Sequence, residues 1–218
     1  VNSTRIRQHL GLATLIWLAT ASGASAIELE VEPFFGAAGW GHLKIAQGQA
    51  DLSNPVSPLY PPLKSFDFSE CLAIGLRLSA VLQDTYFASV EWTQFPKVTT
   101  TDSLAPSWTH TQLGIHAGAQ LPAVPVRFWI GFNVRNSITP NSYLGIAGVS
   151  HSVGLLGTAF KMGTGIQIYA PLWINFEMIY GQFSHYSSPV IQPLPADTST
   201  SYNYFFLSLS SPIRWLKL

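Results

Sequence analysis

Residues 67–82 read DFSECLAIGLRLSAVL. Phe68, Leu72, Ile74, Leu76, Leu78 and Leu82 fall on one parity. Ser69, Cys71, Ala73, Gly75, Arg77 and Ser79 fall on the other. A period of two is that of a β-strand, whose successive side chains point to opposite faces. Residues 124–136, VPVRFWIGFNVRN, repeat the pattern. Val124, Val126, Phe128, Ile130, Phe132 and Val134 share one face, and Arg127, Trp129, Gly131, Asn133 and Arg135 the other. A wholly apolar face opposite a polar, charged one fits a wall with lipid outside and a polar lumen inside.

The rest of the chain agrees with that wall. Charged residues make up 10% of the 218 and aromatics 13%, whereas an ordinary soluble domain is about a quarter charged. Residues 1–26 have the build of a secretory signal peptide: Arg5 and Arg7, an apolar core, and Ala24-Ser25-Ala26 as a cleavage pattern. Residues 27–218 then form one domain. Nine Lys/Arg against eleven Asp/Glu in that domain leave no basic surface for nucleic acid. Cys71 is the sole cysteine, so no internal disulfide is available. Past residue 26 no apolar run approaches the ~20 residues of a membrane helix. An exported, apolar, charge-poor chain without such a helix is expected to be a transmembrane β-barrel in the bacterial outer membrane.

The expected fold is all-β: an eight-stranded antiparallel up-and-down barrel. Strands are expected near 28–37, 67–81, 84–95, 109–121, 124–135, 154–169, 172–185 and 202–216. Tight connections (LQD, PAV, AP) alternate with long ones at 38–66, 96–108, 136–153 and 186–201. Short turns belong to the periplasmic rim and long loops to the outside. The inner positions collect Glu30, Glu32 and Glu91 beside Arg77, Arg127 and Lys161. Eight strands enclose a space that side chains can fill, so these charges are expected to form a paired plug. Gly75, Gly114, Gly118, Gly131, Gly163 and Gly165 are expected as small lumen partners. Trp92, Trp108, Trp173, Trp215 and Tyr86 are expected in the interfacial girdles. No spacing of His, Cys or acidic residues suits a metal, and no phosphate loop is present; no cofactor is expected.

One polar group remains, in GQFSHYSSPV, residues 181–190. His185 and Ser187 are two apart and share a strand face. With Ile179, Gly181 and Phe183 facing lipid, both would project outward at the outer leaflet. The competing parity turns Phe176, Met178 and Tyr180 out and places Glu177 and His185 inside; the sequence leaves both open. A serine hydroxyl needs a neighbouring base to become a nucleophile, and histidine supplies one near neutral pH.

His185-Tyr186-Ser187 on the seventh strand, FKMGTGIQI at 160–168 and TSYNYFFLSL at 200–209 together resemble the PagL-type lipid A 3-O-deacylases. That resemblance implies an eight-stranded outer-membrane barrel hydrolysing an ester-linked acyl chain of lipid A. Ser187 would be nucleophile and His185 base. Where that family carries a catalytic Glu this chain has Thr200, and Asp197 is the nearest carboxylate to orient the imidazole. The implied partners are outer-membrane lipids (lipid A, lipopolysaccharide) and the barrel assembly machinery, with the protein a monomer or small homo-oligomer. The alternative is a non-catalytic small barrel resembling the OmpA, OmpX or OmpW type, with a structural, adhesive or small-channel role. His-Tyr-Ser is then only a polar rim.

Overall fold

The computed structural model describes residues 27–47, 66–68, 71–99, 107–121, 123–140, 155–186, 192–193 and 198–217. The expected signal peptide lies outside the described residues. Every described element is a strand: β1 Ile27–Gln47, β2 Phe66–Phe68, β3 Cys71–Leu82, β4 Tyr86–Thr99, β5 Ser107–Leu121, β6 Val126–Pro140, β7 Leu155–Tyr169, β8 Leu172–Tyr186, β9 Gln192–Pro193, β10 Thr198–Ser210 and β11 Ile213–Lys217.

These form one closed antiparallel wall. Neighbours run β1, β3, β4, β5, β6, β7, β8, β10, and β10 pairs back onto β1. The short β2 and β11 both pair with β1, and β9 pairs with the end of β8. The wall therefore has eight staves, as the alternation of tight and long connections predicts. Closure matters physically: it leaves every strand a partner on both sides, which lipid cannot provide.

Several strands run further than the sequence suggests. β1 extends to Gln47 rather than ending near 37, and β10 starts at Thr198 rather than 202. The final strand also breaks: Ser211 and Pro212 separate β10 from β11, and the Ser211 amide donates to the Pro33 carbonyl. Proline cannot donate to a ladder, so a break at Pro212 is where the chain would make one.

The turns at the periplasmic end are tight. Gln83 and Asp84 both have positive φ, 54° and 53°, as the two central residues of a type I′ turn do, and the Thr85 amide closes that turn on the Leu82 carbonyl (3.1 Å) within a three-residue connection. The exterior is the apolar face read from the sequence: Leu72, Leu78, Phe128, Ile130, Ile166 and Leu207 are all exposed. The opposite parity is buried, so the core of this molecule is its lumen. No helix among the described residues is long and apolar enough to cross a membrane; the spanning elements are the strands. Apolar outside, polar and closed inside, this is a membrane-spanning barrel of the outer-membrane type.

Candidate functional site

The lumen has two layers. Toward the periplasmic turns lies an ion network. Arg77 donates to Glu32 (Nη1–Oε2, 3.0 Å), to Glu91 (Nε–Oε2, 3.0 Å; Nη2–Oε2, 2.6 Å) and to Glu177 (Nη2–Oε1, 2.9 Å). Lys161 pairs with Glu177 (2.8 Å) and Glu91. Arg127 donates to Glu32, to Asn175 Oδ1 (2.7 Å) and to Ser210 Oγ (3.2 Å). Three carboxylates thus face three cations, all buried. Such charges are tolerable only because each is paired several times over.

The strand pairing that builds this layer is simple. Glu32, Arg77 and Glu91 stand directly opposite one another on β1, β3 and β4. Aromatic faces cover the guanidiniums: Arg77 lies 5.1 Å from the Trp129 ring and Arg127 lies 4.5 Å from that of Trp173. Glycines make room for these rings. A side chain at Gly163 would enter the Trp129 indole, and one at Gly75 would enter the Phe34 ring.

Toward the outside the filling becomes aromatic. Phe95 contacts His110, Tyr204 and Phe206 at centroid distances of 5.3, 5.5 and 5.7 Å. Phe183 stacks on Tyr202 at 5.1 Å. Gln112 donates to the Tyr204 hydroxyl (2.7 Å), and Asn136 bonds His110. His110 and His116 are both buried lumen residues, as their shared parity suggests.

Two expectations about aromatics need correction. Trp92, Trp215 and Tyr86 are exposed on the outer wall, but Trp108 and Trp173 are buried in the lumen. They stand near strand ends, as girdle residues do, yet on the inward parity.

Of the two parities that the sequence leaves open for β8, the competing one is observed. Phe176, Met178 and Tyr180 face out, while Glu177, Ile179, Gly181 and Phe183 face in. On that parity His185 would enter the lumen, but it is exposed. The reason is a bulge: Gly157 of β7 pairs with Phe183, and the next residue, Leu156, pairs with His185. Ser184 is the extra residue, and one inserted residue re-aims all that follow. Both Ser184 and His185 are exposed, and Ser184 Oγ lies 2.8 Å from His185 Nδ1.

Ser187 and Asp197 lie outside the described residues. Thr200 is fully buried on the inner face, its hydroxyl bonded to the Phe183 amide (3.1 Å) and carbonyl. It is a strand-to-strand tie at the top of the lumen wall, not a group presented to the exposed imidazole.

A second bulge overturns another reading. Asn133 pairs with Ala159 and Asn136 with Gly157, so Val134 and Arg135 together oppose Thr158. Asn133 and Asn136 point in; Val134 and Arg135 are both exposed. Arg135, expected in the lumen, is therefore outside. No group of three or more His, Cys, Asp or Glu among the described residues could hold a metal.

No family model matches the chain, and no curated protein matches it. Solved structures that it resembles include Neisserial surface protein A, at 10% identity over 84% of this chain and 96% of that one, with a TM-score of 0.48. Ail, the attachment invasion locus protein of Yersinia pestis, is 8% identical over 87% of this chain and 99% of its own, with a TM-score of 0.45. The outer membrane protein OprG from Pseudomonas aeruginosa is 11% identical over 88% and 99%, with a TM-score of 0.42.

Proposed function

We propose that this protein is a small outer-membrane barrel with a structural, non-conducting interior. Its contacts with its surroundings are made at the outer rim, in a structural or adhesive role. The observation that supports this is the lumen filling: Glu32, Glu91 and Glu177 are consumed by Arg77, Arg127 and Lys161, and an aromatic layer lies above them. Opening a path would strip partners from buried charges. Liposome swelling tests it: vesicles carrying the refolded protein should swell no faster in a monosaccharide than empty vesicles. Swelling at the rate of a porin control would sink the proposal.

A second reading is ester hydrolysis on lipid A by His185 and Ser187, as the resemblance to the PagL-type deacylases implies. What favours it is the Ser184 bulge, which leaves an imidazole exposed beside the apolar belt instead of buried in the lumen. What weighs against it is Thr200, which is committed to the β8 backbone. Asp197 then remains as the carboxylate to orient the imidazole. The mass of lipid A before and after expression decides: loss of one acyl chain, abolished by Ser187→Ala and by His185→Ala, supports hydrolysis, and an unchanged mass refutes it.

A further inference from the structure

The two bulges act on the same patch of the outer wall. On β6, β7 and β8, Phe132, Phe160 and Tyr180 stand in one row across the strands, all exposed. They are the last aromatic row of the apolar belt there. The next outward-facing row is Arg135, Thr158 and Gln182. Beyond it comes Ser137, Leu156 and His185, with Ser184 inserted. The wall therefore changes from wholly aromatic to mostly polar in a single step.

Arg135 is the one cation in those rows. It is exposed, and its side chain has no hydrogen-bond or ion-pair partner among the described residues. That is unlike Arg77, Arg127, Lys161 and Arg214, each of which is held by carboxylates. Adjacent strands are about 4.8 Å apart, so the Arg135 and Gln182 backbones are about 10 Å apart. A long guanidinium side chain spans much of that distance. Without the bulge at Val134 and Arg135, the arginine would enter the lumen, where the acids are already taken. With it, a fork of N–H donors is offered at the boundary of the apolar belt.

We propose that Arg135, with Thr158 and Gln182 beside it, binds the phosphate of an anionic outer-leaflet lipid. The chemistry is a planar guanidinium on a phosphate, which it can grip with two parallel hydrogen bonds. The patch adjoins Phe132, Phe160 and Tyr180, so the occupant that satisfies both surfaces has acyl chains below an anionic head; free phosphate uses only half of it. Thr158 and Gln182 supply neutral partners for the remaining head-group oxygens. This deepens the rim reading given above and rests on it, since it names the lipid chemistry that the rim would meet. It does not depend on hydrolysis at His185.

The test uses the full chain refolded in neutral detergent, with diphosphoryl lipid A as probe and retention read by native mass spectrometry. The wild type should retain diphosphoryl lipid A about tenfold better than dephosphorylated lipid A, and Arg135→Gln should lose that preference. Arg135→Lys should keep part of it, because the charge survives and the fork does not. Arg214→Gln, which removes an exposed cation at the periplasmic rim, should leave retention unchanged, so that any loss belongs to Arg135 and not to net charge. Heat-modifiable migration confirms that each variant is folded. Equal retention of the two lipids by the wild type would overturn the proposal without any variant, as would equal retention by Arg135→Gln. Displacement of the lipid by equimolar inorganic phosphate would assign the site to the free ion instead. Swelling of wild-type vesicles in monosaccharide would refute the closed-barrel reading while leaving these retention results standing.

Discussion

The periplasmic half of the lumen and its outer half are filled by the same eight staves but by opposite chemistry. Below, Glu32, Arg77, Glu91, Arg127, Lys161 and Glu177 hold one another by ion pairs. Above, Phe34, Phe95, Phe183, Tyr202, Tyr204 and Phe206 fill space with rings. The lower layer depends on stoichiometry: each cation has an acid, and losing one leaves a charge stranded. The upper layer depends on volume: losing a ring leaves a hole. The same alternation of in and out builds both, so the difference lies wholly in which side chains occupy the inner parity.

Arg77→Leu should cause the largest loss, about 3–5 kcal/mol in urea unfolding from lipid vesicles, because three carboxylates lose a partner at once. Arg77→Leu with Glu91→Leu should recover at least half of that. The double change leaves Lys161 on Glu177 and Arg127 on Glu32, two balanced pairs. If the double variant is no better than the single one, the lower layer is not held by charge balance.

Phe95→Ala should come next, at about 3 kcal/mol. No second substitution of a charge should rescue it, whereas Phe95→Leu should cost only about 1 kcal/mol because most of the volume remains. Rescue of Phe95→Ala by a polar partner elsewhere would erase the distinction between the layers.

Smaller effects are expected at the periplasmic rim. Arg214 bridges Glu28 (2.8 Å) and Asp84 (2.6 Å), but its side chain is 45% exposed. Arg214→Gln should cost about 0.5 kcal/mol, and less at high salt. Gln83→Asn should be the smallest change and of opposite sign. It should stabilise by a few tenths of a kcal/mol, roughly, since asparagine tolerates the left-handed backbone at φ 54° better than glutamine. Destabilisation there would mean that the contacts Gln83 makes are worth more than the backbone relief.

The same contrast explains what the sequence reveals. β3 and the lower part of β6 alternate apolar-out and polar-in, so their faces, and the inward side of Glu32, Arg77 and Glu91, can be read from residue order alone. The upper half does not follow that rule. Ile179, Gly181 and Phe183 are as apolar as any lipid-facing residues, yet they point in because the outer lumen is an aromatic core. Parity from hydropathy fails where both faces are apolar. Tyr202, Tyr204 and Phe206 do show a period of two, next to Ser208 and Ser210, and that run is the signal that would have revealed the aromatic layer.

The bulges at Val134–Arg135 and at Ser184 were not legible in the residue order. The inserted residues lie in NVRN and FSHY, neither of which contains a glycine or any other mark of broken pairing. A bulge reflects how two strands register against each other, so it appears only when both partners are placed. Arg135 and His185 both change sides for this reason. The side on which His185 falls is left open by the residue order, because it depends on the Ser184 bulge as well as on the parity of β8.

Planar-bilayer conductance of the refolded wild type tests the central claim most directly, because it asks whether ions pass the paired layer. A flat baseline is predicted for the wild type. Discrete open steps are predicted only after both fillings are cut away, by changing Arg77, Glu91, Lys161 and Glu177 together with Phe95, Tyr204 and Phe206 to Ala. Discrete steps in the wild-type protein would contradict a lumen that serves as a core.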